Sequence, residues 1–177
     1  MRKMLAPVLA STLLAFTLFA ADDVASAVVG TVKAIDRGTK TCVVKTADGT
    51  EHTFKFIGHT VAHGAEATAK GSKDAFLTMK EGDEVVVHYT VKGTEKTAHE
   101  VDHVGKDGLH ASEVTIKSFD RGAKTVAVKT ADGADETYQL AASATKETGK
   151  GVAKAGKATV YYTEEGGKKV VHFFKSN

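Results

Sequence analysis

The 177-residue chain has one cysteine, one proline and no tryptophan. A lone cysteine, Cys42, excludes an internal disulfide, so the fold must hold by packing alone. The only proline is Pro7, so nothing after it is interrupted by proline. Lysine and arginine number 24 against 22 acidic residues, a formal charge of +2. That balance lacks the basic excess of a dedicated polyanion binder, so no nucleic-acid partner is expected. Serine is scarce, and no Ser, His and Asp group stands out. C-x-x-C and H-E-x-x-H spacings are missing as well. With no nucleophile–base pair and no paired carboxylates in view, the expectation is a protein that is not an enzyme.

What is present begins with the N-terminus. Arg2 and Lys3 precede a mostly apolar, uncharged run over 5–20, and small residues end in Ala25-Ser26-Ala27. This is the layout of a secretory signal peptide, read here as residues 1–27. The cut falls after Ala27 or earlier, near Ala20 or Ala21. The run is too short to span a bilayer as a helix, so no membrane span is expected after its removal. A periplasmic or secreted protein of about 150 residues follows, enough for one ordinary domain or two very small ones.

The chain then repeats itself. DRGTKTCVVKTADG, from Asp36 to Gly49, returns as DRGAKTVAVKTADG, from Asp120 to Gly133, 84 positions on. VVVHYT, from Val85, matches ATVYYT, from Ala158, at an offset of 73. The second copy is therefore shorter by 11 residues in its middle loop. A duplication of this kind organises everything else. The first unit is placed at 28–104, a linker at 105–110 and the second unit at 111–177.

Each unit reads as β. In the first, strands are expected at 30–35, 42–44, 53–56, 84–91 and 95–103, from alternating or Val-rich runs. Asp48-Gly49 signals a two-residue hairpin, and Asp36 and Asp120 suit Asx-type turns. The loop between strands three and four carries a helix signal at 73–80 in the first copy, with Ser72 as its cap. GKGVAKAGK in the second copy is too rich in glycine for one. Five strands in this order suit a small closed barrel, OB-like, with an SH3-like barrel as the alternative. The fold class is all-β, two tandem five-stranded barrels that pack on each other. G-x-V-x-x-x-D from Gly30, a basic turn, K-T-A-D-G and then G-D-E-V-V-V-x-Y resemble exported bacterial small-barrel domains of unknown function found in tandem. That resemblance implies fold and compartment and brings no catalytic residues with it.

Candidate chemistry is sparse. Val126 stands where the first copy has Cys42, so the cysteine reads as a small buried hydrophobe and not as a nucleophile. Phe54, Phe56, Tyr138 and Phe173 read as core residues. The histidines are uneven: His52, His59, His63, His88, His99, His103 and His110 fall between positions 52 and 110, and only His172 lies in the second copy. His59 and His63 are placed in the loop between strands three and four. On strand five, His99, Val101 and His103 should share one face, and Glu100 and Asp102 the other. Two histidines four strand steps apart are too distant to share an ion unless a bulge folds the strand. The candidate metal ligands are His59, His63, His99 and His103, with zinc or copper(II) as the ion and carboxylates completing the shell. The competing account is solvated surface histidines. His99 and His172 coincide in the two copies, which suggests a role in the fold. Two readings follow: a non-catalytic exported module that binds an unidentified protein or small ligand and has no cofactor, or a periplasmic zinc or copper binder.

Overall fold

The computed structural model describes residues 24–63, 79–105, 108–147 and 156–176. Strands β1 (Val24–Asp36), β2 (Thr41–Lys45), β3 (Glu51–His63), β4 (Glu84–Lys92) and β5 (Glu95–His103) form the first half. The second half holds β6 (His110–Asp120), β7 (Thr125–Thr130), β8 (Asp135–Leu140), helix α1 (Ala142–Glu147), β9 (Lys157–Glu165) and β10 (Lys168–Ser176). The first five close into a barrel in the order β1-β2-β3-β5-β4, and β4 returns to β1. The second five close in the equivalent order, with β9 on β6. In each barrel the third and fifth strands run parallel and the other neighbours antiparallel. This is the OB-like connectivity, in which each sheet closes on itself.

The duplicated residues do the same work in each copy. Asp36 Oδ1 accepts hydrogen bonds from the Gly38 and Thr39 amides, and Asp120 Oδ1 from that of Ala123. Both turns pass through a lysine at positive φ, Lys40 at 55° and Lys124 at 52°. Lys33 and Lys117 sit at matching bulges in β1 and β6. They reach Glu51 at 2.5 Å and Asp135 at 2.8 Å. Bulges of this kind bend a strand, which closure of so small a barrel requires. The hairpin tip is longer than two residues. Thr46 N–H donates to Thr50 O, Gly49 N–H donates to Thr46 O, and Gly49 adopts φ 88°.

Val32, Cys42, Val44, Phe54, Phe56, Val85, Val87 and Val101 fill the first barrel with Met79. Ile116, Val126, Val128, Tyr138, Val160, Val171 and Phe174 fill the second. Each such side chain contributes roughly 1.5–3 kcal/mol of hydrophobic stabilisation. Cys42 and Val126 are both core residues, and burial pushes the Cys42 thiol up to about 12. A third cluster joins the barrels: Val29 and Val86 from the first, Leu109 from the connection, Tyr161 and Phe173 from the second. Phe173 therefore belongs to the seam and not to a barrel interior. The connection is tight. Leu109 N–H donates to His103 O at 2.7 Å, and a Cβ on Gly108 would lie 2.0 Å from that same oxygen.

Three local expectations are revised. β3 continues to His63, so His59 and His63 lie on a strand and not in a loop. The second copy does form a helix, α1, just before its glycine-rich stretch, where Ala142 to Thr145 precede any glycine. β1 begins at Val24, so Ala25-Ser26-Ala27 is paired with β4. The helix expected at 73–80 lies almost wholly outside the described residues. Among those described, no helix is long and apolar enough to cross a membrane.

Candidate metal centre

A bulge on β5 creates the site. Ala98 and Val101 are three residues apart, yet both line the barrel core. Strict alternation forbids that. It is possible because Tyr89 pairs with Ala98 and His88 with Glu100, which leaves His99 as an extra residue. Beyond the bulge Val101 faces inward, so Glu100 and Asp102 face the other way. The expected grouping of Glu100 with Asp102 holds. The expected grouping of His99 with Val101 fails, because the bulge turns His99 out to an exposed position.

β3 supplies the next group. It pairs with β5 at Phe56↔Ala98, departs, and rejoins at Val61↔Glu100. Buried Thr60 pins the detour: its hydroxyl donates to Ala98 O at 2.7 Å and accepts from Ile57 N–H at 3.1 Å. The new register sets His63 beside Asp102. β8 in the second barrel ends at Leu140 with no such extension.

His63 Nδ1 lies 2.8 Å from Asp102 Oδ1 and 3.4 Å from Glu100 Oε1. The Asp102 side chain is fully buried, at 0% exposure. His88 Nε2 approaches its Oδ2 at 3.4 Å. From the second barrel, His172 Nδ1 lies 3.7 Å from Glu100 Oε1 and 3.8 Å from Asp102 Oδ2. Those last distances exceed a hydrogen bond but allow attraction between charges. Asp102 Oδ2 and His172 Nδ1 are buried with no hydrogen bond among the described residues.

The charges answer to one another. Hydrogen bonding to Asp102, then to Glu100, raises His63 to about 10. Burial pushes Glu100 up, but the neighbouring imidazoles of His172 and His63 outweigh it and hold the carboxyl well below its ordinary range. Burial likewise opposes the charge on Asp102, and His63 and His88 hold that carboxyl below its ordinary value. A buried carboxylate kept ionised beside a cleft is a frequent mark of a functional site.

Of the four histidines singled out in the sequence, His63 sits at this centre. His99 lines the same cleft, with its Nε2 2.8 Å from Thr90 Oγ1. His103 lies apart, its Nδ1 3.6 Å from Asp83, and burial lowers its pKa. His59 is exposed on the β3 detour. Glu100, Asp102, His88 and His172 are the members that ligand spacing did not select. A clue was available: the second copy has Tyr161, Phe173 and Lys175 where the first has His88, Glu100 and Asp102. Chemistry confined to one copy is what a site on a duplicated scaffold leaves in a sequence.

His63, Glu100 and Asp102 present donor atoms that all lie within 4.8 Å of one another. Imidazole and carboxylate donors suit zinc or copper(II), whereas soft Cu(I) favours sulfur. The only thiol, Cys42, is committed to the barrel core. A cleft of about 440 Å³ opens onto the centre, lined by Ser26, Val61, His63, His88, His99 and Glu100, with Ala142 and Ser143 of α1 on its far side.

No protein-family model matches the chain, and no curated protein matches it. Solved structures do match part of it. A crystal structure of Ag(I)CusF is 16% identical, covers 45% of this chain and 96% of its own, and has a TM-score of 0.33. A structure of apo-CusF residues 6–88 from Escherichia coli is 17% identical, covers 49% and 95%, and has a TM-score of 0.35. At those identities and TM-scores the likeness assigns no ligand to this chain.

Proposed function

We propose that this is an exported, non-catalytic protein that binds a transition-metal ion, zinc or copper(II), through His63, Glu100 and Asp102 of its first barrel. The observation that carries the reading is Asp102: a fully buried carboxylate set against a second carboxylate and an imidazole, its Oδ2 reached by His88 Nε2 only at 3.4 Å. Burying an ion pair is costly unless its geometry is completed by further bonds. A divalent cation would complete it. The cleft gives the ion, or a small molecule carrying it, a route in. Export rests on the N-terminal pattern. Cleavage near Ala20 or Ala21 would keep the pairs from Val24 to Ala27 with β4, and cleavage after Ala27 would remove them. The mass of the mature protein distinguishes the two.

Calorimetric titration of the mature protein with zinc and copper(II) tests the binding. The expected result is one tight site, lost in His63→Ala and retained in His59→Ala. Equal weak binding by wild type and His63→Ala would reject the reading.

A further inference from the structure

His172 lies on β10 of the second barrel, and it occupies a bulge equivalent to that of His99. Its Nε2 lies 3.2 Å from Thr163 Oγ1, as His99 Nε2 lies 2.8 Å from Thr90 Oγ1. The bulge and the threonine contact are therefore part of the duplicated scaffold. What differs is the other nitrogen. His172 Nδ1 is buried, has no hydrogen bond, and faces Glu100 and Asp102 across the seam.

Thr163 Oγ1 also lies 3.0 Å from Glu165 Oε1, to which it donates. With Nε2 engaged by Thr163, Nδ1 is the nitrogen turned to the two carboxylates, and a proton or a metal ion can join it to them. A metal-binding histidine commonly has its second nitrogen held in this way by an outer partner.

His172 stands just outside the other three donors. Four donors at 2.0–2.1 Å from zinc, arranged as a tetrahedron, stand about 3.3–3.4 Å apart. His63 Nδ1 lies 2.8 Å from Asp102 Oδ1 and 3.4 Å from Glu100 Oε1, while His172 Nδ1 lies 3.7 Å from Glu100 Oε1 and 3.8 Å from the other Asp102 oxygen, Oδ2, so His172 must move inward to share an ion. We infer that His172 is the fourth ligand, and that the bound ion is a clasp joining the two barrels. This rests on the metal-binding reading above and goes beyond it, since it makes the second barrel part of the site. It also gives the duplication a use: one copy brings three ligands, and the other closes the shell.

The test is run on the full mature chain. Zinc affinity, the visible spectrum of bound cobalt(II) and the zinc-induced rise in Tm are measured for wild type, His63→Ala, His172→Ala and His172→Gln. Glutamine keeps an N–H for Thr163 and guards against a folding defect, which circular dichroism checks. The expected result is a loss of affinity in both His172 variants larger than the roughly 10–100-fold that losing an outer-shell partner costs. The cobalt spectrum should shift, and zinc should no longer raise Tm. Wild-type affinity and spectrum in His172→Gln, alongside lost binding in His63→Ala, would overturn the clasp and leave the three-residue site standing. No binding by wild type would overturn both.

Discussion

The two barrels share a strand order, turns, bulges and a core, yet only one carries a concentration of ionisable groups. In the first barrel His88 pairs with Glu100 across β4 and β5. In the second the equivalent pair is Tyr161 and Phe173. The two pairs meet at the seam, where the His88 and Phe173 rings stand edge to face at 6.4 Å. The positions that hold carboxylates in one copy hold an aromatic and a lysine in the other. The difference shows how a duplicated fold can divide labour. The core positions hardly change, because volume and polarity are set by packing. The facing surface changes completely, because one copy holds polar groups and the other covers them.

The sharpest way to break that contrast is Asp102→Asn. The substitution keeps the shape and removes the charge at the centre. Zinc affinity should fall by more than about 100-fold, a larger loss than that of an outer-shell partner. Proton NMR titration should show the His63 pKa dropping from about 10 toward its ordinary 6.5. An unchanged His63 titration would show that Asp102 does not govern it.

Next come the cores, where the copies should behave alike. Phe54→Ala and Tyr138→Ala occupy equivalent buried positions, and each should cost about 3–5 kcal/mol in urea unfolding. A cost under 1 kcal/mol for one of them would mean that its barrel is not packed as described.

A smaller effect concerns pH and belongs to the first barrel alone. His63 is raised in the folded state, so its stabilising contribution is complete below its unfolded value near 6.5 and is lost as pH rises toward about 10. Glu100 and Asp102 are lowered, so theirs is complete above the unfolded carboxyl range near 4 and is lost on acidification. Tm of the metal-free protein should peak between about pH 5 and 6.5 and decline between about 7 and 10. The alkaline decline should shrink in His63→Gln. An identical profile in that variant would contradict the assignment.

The smallest effect is Cys42→Val, which writes the second copy's residue into the first. Stability should change by less than about 1.5 kcal/mol, as for other volume-conserving core swaps. The native thiol should resist alkylation at pH 8 and react once the chain is unfolded. Rapid native labelling would contradict its burial.

The sequence disclosed whatever depends on local pattern or on comparison of the copies. The repeat, the five strands of each unit, the Asx turns and the demotion of Cys42 to core all follow from residue types at fixed offsets. The site was legible only in part. Alternation ends the third strand at Phe56 and leaves His63 in a loop, because the detour through Gly58 and Thr60 breaks the pattern that identifies a strand. The bulge at His99 has no signature in composition, so simple alternation places that histidine on the wrong face. His172 joins the others only through the approach of two barrels, which no spacing within one repeat encodes. Asp102 falls on the expected face with Glu100, but alternation alone does not show that its side chain is fully buried.

Diffraction at the zinc absorption edge, from crystals of the mature protein grown with zinc, tests the central claim most directly. The account predicts an anomalous peak about 2.0–2.2 Å from donor atoms of His63, Glu100 and Asp102. A peak bound only by exposed histidines such as His59, or no peak with Asp102 still buried beside His63, would contradict it.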